Sequence, residues 1–311
     1  MFKNAIPFRI KTPVDLQELE SGLSDMRKKP IGRSEVERIG FIPAVSSSDK
    51  LLYQVDRFCF VALSIEEKVI PPASIKKEVG AWISRIEKEE GRSVKPKEKS
   101  QIKDAVYQEM LPKAFTKEST VRALYDSRHR LLIVDAASAN KAEKLTGAVR
   151  EALGSFPVMQ VCVAQDPEVT MTEWIIQDAQ MPESATIGSK ATFVTDTEEK
   201  SSIVIRNLEM EDPDVRQHLQ NGMLVDRLEL IDHRGPRITF TLSQELTLKQ
   251  IIFESDSDSR NDSDEAFIFL TANALTNCLE DLFKAFGGEY GGEEAFEDES
   301  EQKQLEGQGV A

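Results

Sequence analysis

The sequence predicts an α+β fold, and three observations predict it. Short β-rich segments recur along most of the chain, two amphipathic helices interrupt them in its first third, and a long, mainly apolar helix lies near the C-terminus. A chain of 311 residues with 40% hydrophobic side chains is long enough for two or three compact units. We therefore expect strands and helices to form several regions of one folded protein.

The first region opens with a strand and a helix. The segment FKNAIPFRI is a plausible strand, and VDLQELESGLSDM follows with leucines at helical spacing. Thr12 and Pro13 suit the cap and first turn of that helix. Next, FCFVALSIEEKVI reads as a β-rich run that a charged turn breaks at residues 66–68.

A pair of amphipathic helices follows. One apolar stripe starts at Ile75 and a second at Ile102, and the polar segment EEGRSVKPKEKS lies between them. Gly91 suits the end of the first helix, and Pro96 suits the first turn of the second. Because the two apolar stripes should face each other, the lysines and arginines should point outward along the pair and over its tip.

The β pattern then returns. Strands are predicted at TVRALYD, HRLLIVDAAS and PVMQVCVA, with a helix at ANKAEKLTGAVREALG that should stop at Gly154. A short helix at TMTEWIIQDAQ would have Thr170 or Thr172 near its cap. Five more strands are expected at ATFVTD, SSIVIRN, LVDRLELID, RITFTLS and LTLKQIIFES, with a helix at DPDVRQHLQNG after the second. The final helix, EAFIFLTANALTNCLEDLFKAFGG, should stop at Gly287 and Gly288.

These patterns divide the chain into four regions. Residues 1–71 and 119–165 form a central α/β region, residues 72–118 form the basic helical region, and residues 166–289 form an α+β region. Residues 290–311 lack apolar periodicity and are predicted to be an acidic, disordered tail.

Charge is distributed unevenly along the chain. The formal net charge of -15 argues against a nucleic-acid partner. Residues 75–130, however, carry fourteen Lys and Arg against nine acids, whereas residues 251–311 carry three against sixteen. Lysines on an exposed helix face often serve solubility alone, so both interpretations stay open. The candidate DNA contacts are Lys76, Lys77, Lys88, Arg92, Lys95, Lys97, Lys99, Lys103, Lys113 and Lys117.

Several chemical classes find no support in the sequence. Cys59, Cys162 and Cys278 are widely spaced in apolar surroundings, so we expect reduced core cysteines. The N-terminus is too polar for a signal peptide, and the chain has no run of about eighteen apolar residues. We expect a cytoplasmic protein that does not contact membranes. Neither GxxxxGK[ST] nor GxSxG is present, and the glycine-rich GGEYGGEE follows a helix rather than a strand.

The acidic run ESDSDSRNDSDE resembles a calcium-binding loop only in part. Asn261 stands where such a loop needs glycine, and Phe267 stands where it needs a bidentate glutamate. A solvated acidic loop is favoured, and no metal or cofactor is predicted. The three histidines show no catalytic spacing and are predicted to be exposed and structural: His129, His218 and His233.

An ordered set of segments resembles a known family. MLPKAFTKEST, LLIVDAASANKAEKL, ALGSFPV, MTEW and ALTNCLEDLFKAFGGE are similar, in this order, to segments of the bacterial RdgC family of recombination-associated proteins. The resemblance runs from residue 2 to about Glu289, and the tail extends beyond the usual family end.

The resemblance implies a non-enzymatic, nucleoid-associated protein with a particular shape. Horseshoe-like subunits, each with β-sheet centre and base regions and a basic helical-hairpin finger, would form a ring-shaped homodimer around duplex DNA. Such a ring would bind DNA, duplex or single-stranded, with little sequence preference and would inhibit RecA-dependent homologous recombination.

The resemblance also assigns roles to individual residues. Phe115, supported by Leu111, would cross the subunit contact called the gate, and Lys113 stands where the family can carry an arginine. A relative has lysines soon after the segment VIR, whereas residues 207–211 of this chain contain no cation. Arg206 and Arg216 are then the remaining candidates for DNA contacts in that region.

Two other functions remain open from the residues alone. The protein could bind the recombinase without contacting DNA. It could also be a metal-dependent nuclease that uses carboxylates such as Asp135, Glu254 and Asp256, although the sequence shows no recognisable site of two carboxylates and a lysine.

Overall fold

The fold is α+β, as predicted. A computed structural model describes residues 2–177, 180–195, 197, 201–254 and 265–290. Within those residues, twelve strands form two antiparallel sheets, and seven α-helices accompany them. The strands are β1 (Ile6–Ile10), β2 (Glu37–Ile42), β3 (Tyr53–Val55), β4 (Phe58–Val69), β5 (Phe115–Asp126), β6 (Leu131–Asp135), β7 (Val158–Gln160), β8 (Ala185–Thr195), β9 (Ser202–Arg206), β10 (Met223–Asp232), β11 (Ile238–Ser243) and β12 (Leu248–Phe253). The helices are α1 (Leu16–Asp25), α2 (Pro72–Glu90), α3 (Pro96–Met110), α4 (Ala139–Leu153), α5 (Pro167–Gln177), α6 (Pro213–Gln220) and α7 (Glu265–Ala285).

The first sheet has the strand order β2-β4-β5-β6-β1-β7, with β3 paired to β4. Successive side chains of a strand point to opposite faces. Val61 and Val121 therefore pack with α1 and α4 on one face, whereas Phe60 and Leu124 belong to the core that contains α7 on the other. Both faces of the sheet centre are covered, which explains the nearly continuous apolar run in β4.

The predicted turn at residues 66–68 is wrong. Strand β4 continues through these residues because β5 pairs with it at every position, from Phe58 opposite Asp126 to Val69 opposite Phe115. The charged side chains lie where the strand leaves the core, so they interrupt the apolar pattern without ending the strand.

Two predicted helix caps also differ from the structure. Asp15 caps α1, because its carboxylate accepts hydrogen bonds from the backbone N–H groups of Gln17 and Glu18. Asp166 accepts two N–H groups in the same way at the start of α5. The hydroxyl of Thr170 instead donates to the carbonyl of Asp166, one turn earlier, so it lies inside the helix.

Helices α1 and α4 approach closely at Gly22. A methyl group added at Gly22 would lie 2.2 Å from the carbonyl oxygen of Ala152, so a larger residue would force the helices apart. We expect Gly22→Ala to lower the free energy of unfolding by about 1–3 kcal/mol, which urea denaturation would measure. Gly147→Ala in α4 is the control: no atom lies within 4 Å of the added group, so this change should stabilise the protein by about 0.5–1 kcal/mol. Equal effects of both changes would contradict the close approach.

The second sheet has the order β12-β11-β10-β8-β9. Its core side joins the first sheet through α7, in one cluster that includes Phe193 and Phe240 from this sheet, Leu124 from the other, and Leu275 from α7. Trp174 of α5 is buried in the same cluster, with its ring centroid 5.0 Å from that of Phe286. The central and C-terminal regions therefore share one hydrophobic core.

Helices α2 and α3, which we call the helix pair, have a small core of their own. Val94, Ile102 and Val106 are buried there and contact half-buried residues of α2 such as Trp82. Gly91 ends α2 in the left-handed conformation with φ of 65°, and a proline occupies the first position of α3. Both predicted helix ends are confirmed.

The cysteine prediction holds at two positions and fails at one. Cys59 and Cys278 are buried, and burial raises the pKa of the Cys59 thiol to about 11. Cys162 is exposed: it lies beyond the end of β7, in a segment whose buried side chain is that of the neighbouring Val161. Within the part of the chain that the structure describes, every helix is too short or too polar to cross a membrane.

Candidate nucleic-acid interface

The predicted cations are all exposed. Amphipathic folding of the helix pair explains this, because the apolar side chains of both helices turn towards Val94, Ile102 and Val106. The ten residues, which we call the cationic set, lie on α2 (Lys76, Lys77, Lys88), on the connection (Arg92, Lys95), on α3 (Lys97, Lys99, Lys103), on the following 3-10 turn (Lys113) and on β5 (Lys117).

Arg92 differs from the rest of the cationic set because it already has anionic partners. Its guanidinium donates to both carboxylate oxygens of Glu98, at 2.7 and 2.8 Å, and to Glu90 at 2.7 Å. These contacts raise the pKa of Arg92 and lower the pKa of Glu98. A DNA phosphate would have to compete with these carboxylates, so Arg92 is a weaker candidate than the lysines around it.

Lys117 also has an acid nearby. It lies directly opposite Glu67 in the β4–β5 ladder, and Glu67 is 3.6 Å from the ammonium of Lys144. The positive charge at this end of β5 is therefore lower than the lysine alone would give.

Phe115 is the most exposed large apolar side chain of the described residues, at 86%. It begins β5 and lies opposite Val69, which is itself 42% exposed, so two apolar side chains meet at the end of the ladder. Leu111, which was predicted beside Phe115 at the gate, is fully buried within this chain. The ammonium of Lys68 donates to the carbonyl of Leu111 at 3.0 Å and so holds the turn that precedes Phe115.

A second cationic surface lies on the open side of the five-stranded sheet. Lys190 and Arg206 are direct neighbours on β8 and β9, and they line a cleft of about 600 Å³ together with Arg227 and Lys249. Of these four cations, only Arg206 was predicted from the sequence. The other three cations come from strands far apart in sequence, and the alternation within each strand was the one signal that could place them on this face.

Two of these four cations are partly neutralised. Lys190 is 2.7 Å from a carboxylate oxygen of Glu229, and Arg227 is 3.2 Å from Asp226. Burial opposes the charged form of Glu229, yet the hydrogen bonds from Lys190 and from the N–H of Ser189 keep its pKa below the usual value. In the described ranges, Arg206 and Lys249 have no carboxylate within ion-pair distance.

Arg216 is placed less favourably for DNA than Arg206. It is half-buried, and its Nε atom is enclosed without a hydrogen-bond partner in the structure. Of the two arginines that remained as candidates where residues 207–211 lack a cation, Arg206 is therefore the better candidate for a phosphate contact.

The carboxylates of the nuclease hypothesis have other contacts. Asp135 accepts the backbone N–H groups of Asn4 at 2.9 Å and Lys3 at 3.2 Å, and Glu254 lies 3.4 Å from Arg237. Asp256 and the rest of the predicted acidic loop fall outside the described residues, apart from its two ends. Among the residues that are described, no three His, Cys, Asp or Glu side chains group as metal ligands would.

Two of the three histidines are less exposed than predicted, and the third, His233, is exposed as expected. His129 is half-buried, and its Nδ1 lies 2.9 Å from the buried carboxylate of Asp126, which also binds Arg57. His218 is half-buried on α6, and His233 is exposed beside the hydroxyl of Thr186. His129 thus has a structural role in a polar network that its sequence spacing did not reveal.

Comparisons with known proteins give a consistent result over this fold. A family model described as "Putative exonuclease, RdgC" matches residues 1–289. The protein named Recombination-associated protein RdgC in Aeromonas hydrophila is 30% identical over 301 residues, and the match covers 93% of this chain and 98% of the relative. Relatives of the same name in Mannheimia succiniciproducens and Haemophilus influenzae are 30% and 29% identical, with the same coverage.

Proposed function

The chain belongs to the RdgC family, and on that premise we propose that it is a non-catalytic, sequence-independent DNA-binding protein of homologous recombination. The observation that carries the proposal is the cationic set, whose ten members are all exposed on and beside the helix pair. Their positive charge contrasts with the overall net charge of -15, so DNA would be attracted locally by a chain that repels it elsewhere.

Phosphate contacts account for binding without sequence preference. Each lysine or arginine that neutralises a phosphate releases a condensed counterion, so binding strengthens as salt is lowered whatever the base sequence. On the helix pair itself the aromatic side chains Trp82 and Tyr107 are half-buried and so are poorly placed for base stacking, and the exposed Phe115 beside it is assigned to the gate. This favours recognition of duplex shape and charge, with single-stranded DNA as the weaker ligand.

We further propose that two horseshoe-like subunits form a ring-shaped homodimer that encircles the duplex, with Phe115 crossing the gate into the partner. The exposure of Phe115 and its neighbour Val69 supports this assignment, because an apolar pair of this kind is stabilised when a partner covers it. Burying one phenylalanine contributes about 1.5–3 kcal/mol, which is enough to bias a gate towards closure and too little to prevent it from opening.

A ring of this kind would act on recombination by occupying DNA. RecA needs access to the same duplex and single strands, so a bound ring would inhibit RecA-dependent strand exchange without contacting the recombinase. The protein would then be found in the cytoplasm, associated with the nucleoid.

Fluorescence anisotropy of a labelled duplex tests the DNA-binding proposal. We expect salt-dependent binding, with the logarithm of affinity falling against the logarithm of salt at a slope of about 0.9 per phosphate contact. Two duplexes of unrelated sequence should bind alike. Absence of binding at low salt would overturn the proposal and would favour a protein that acts on the recombinase alone.

The gate assignment predicts that Phe115→Ala weakens dimerisation by about 10- to 100-fold, since the side chain would no longer be buried in the partner. Sedimentation velocity over a range of protein concentrations would measure the dissociation constant. Tyr290→Ala removes another aromatic side chain that is 78% exposed, and it should leave dimerisation unchanged. A native protein that sediments as a monomer, or a variant that dimerises as well as the native protein, would argue against the gate.

The word exonuclease in the family description makes nuclease activity the second function to test. A linear, end-labelled duplex incubated with the protein and magnesium would release nucleotides if the protein were a nuclease. We expect binding without release. Release that Asp135→Asn abolishes, while DNA affinity stays the same, would establish the enzymatic alternative.

A further inference from the structure

A cavity of about 500 Å³ opens beside α7, and the function proposed above does not use it. Its size is within the range of small-molecule sites in proteins, which are commonly apolar clefts with a few polar groups. The walls come from the N-terminus, from both sheets and from α7, and the main apolar residues are Phe2, Phe60, Leu124, Phe253, Phe267 and Leu275.

Arg122 gives this apolar cavity a fixed positive charge. Arg122 and Leu124 are two residues apart on β5, so their side chains point to the same face of the sheet. Leu124 is fully buried in the core, whereas Arg122 is exposed and lines the cavity. An arginine stays protonated at every physiological pH, so the charge is permanent.

The neighbours of Arg122 leave its charge unpaired. Ala62, directly across on β4, is small and apolar. Asp135 lies directly across on β6, but one of its oxygens accepts the backbone N–H groups of Lys3 and Asn4, and its carboxylate forms no ion pair with Arg122. In the ranges that the structure describes, Arg122 has no carboxylate within ion-pair distance. The guanidinium is therefore available to bind an external anion.

The remaining polar groups are consistent with such a ligand. Ser46 and Ser48 line the cavity from the segment between β2 and β3 and offer hydroxyl groups. The hydroxyl of Thr271 already donates to the carbonyl of Phe267. Among the lining residues that the structure describes, Asp49 is the single carboxylate, and because it is exposed to solvent the high dielectric of water weakens its repulsion of an anion.

We propose that this cavity binds a small amphipathic anion. An aromatic ring or short alkyl chain would lie among the phenylalanines, and a carboxylate, sulfonate or phosphate group would bind Arg122. Hydrogen bonds between charged partners are the strong ones, and the apolar walls add the burial of the ligand's ring or alkyl chain.

Fluorescence of 8-anilinonaphthalene-1-sulfonate, an aromatic sulfonate, tests the proposal on the full-length protein. We expect saturable binding at one site, weakened about 10-fold by Arg122→Gln, which corresponds to about 1.4 kcal/mol. Ala272→Leu, which adds volume inside the cavity, should weaken binding at least as much. Arg150→Gln on the exposed face of α4 is the matched control and should leave binding unchanged.

Two competitors of equal chain length test the charge of the ligand. Decanoate should displace the dye, whereas decylamine, which has the opposite charge, should not. Equal displacement by both, or dye binding that is the same in the native, Arg122→Gln and Ala272→Leu proteins, would overturn the proposal. Circular dichroism of each variant shows whether a loss of dye binding reflects a change in the site or unfolding of the protein.

Discussion

Changing Lys95, Lys97, Lys99 and Lys103 together to glutamate is expected to weaken duplex binding by at least about 100-fold near about 0.1 M salt. These four lysines lie on the connection and the first turns of α3, are exposed, and have no ion-pair partner among the described residues. Residues 72–118 carry eleven Lys and Arg against eight acids, so this change converts a net charge of +3 into -5. Fluorescence anisotropy over a salt series would measure both affinity and slope.

The salt dependence of binding distinguishes the loss of phosphate contacts from a general electrostatic repulsion of DNA. Four lost phosphate contacts should reduce the salt slope by about 3.6, because each contributes about 0.9. The control changes four exposed lysines elsewhere to glutamate and alters the net charge equally: Lys11, Lys29, Lys50 and Lys284. Screening limits charge effects to about 8 Å at physiological salt, so the control should retain most of its affinity. Equal losses in both variants would show that net charge, rather than the helix pair, governs binding.

Replacing Asp126 is expected to have the second large effect, a loss of folding stability. Its side chain is fully buried and binds Arg57 at 3.1 Å, the ring of His129 at 2.9 Å, and the backbone N–H of Arg128 at 2.9 Å. Asp126→Ala would leave these donors without their acceptor, and the Arg57 charge without its counterion, in a largely buried place. We therefore expect a loss of about 3–5 kcal/mol in the free energy of unfolding.

Urea denaturation followed by circular dichroism would measure this loss. Asp104→Ala removes a carboxylate from an exposed position of α3, and it should change stability by less than about 0.5 kcal/mol. Asp126→Asn, which keeps an acceptor of similar shape but removes the charge, should lie between these two variants. A loss below about 1 kcal/mol for Asp126→Ala would mean that water replaces the carboxylate at little cost.

The elements that the sequence predicted well have strong internal periodicity. The helix pair and α7 follow from apolar stripes and from glycine and proline at their ends, which depend only on residues close in the chain. The length of β4 depends instead on β5, because cross-strand pairing with β5 keeps charged residues such as Glu67 in the strand up to the end of the ladder. Strand β2 was missed because it is an edge strand whose pattern is only weakly alternating.

In the candidate interface too, features that depend on contacts distant in sequence could not be predicted. Amphipathicity alone predicts that the cationic set is exposed, because the opposite helix faces must be buried. The cluster of Lys190, Arg227 and Lys249 around Arg206 could not be predicted, because it depends on the order of strands in the second sheet. Likewise, the contact of Phe115 with Val69 depends on strand register.

The long β4–β5 ladder has a mechanical consequence for the helix pair. At its Asp126 end, both faces of the sheet are buried, whereas from Phe115 to Glu118 every side chain of β5 is exposed. The backbone hydrogen bonds near Phe115 are thus the most accessible to water, and this end will fray first while the other end keeps its register. The helix pair is therefore joined to the core through the least protected part of the sheet, and we expect the backbone amide hydrogens of residues 115–118 to exchange with solvent before those of residues 123–126.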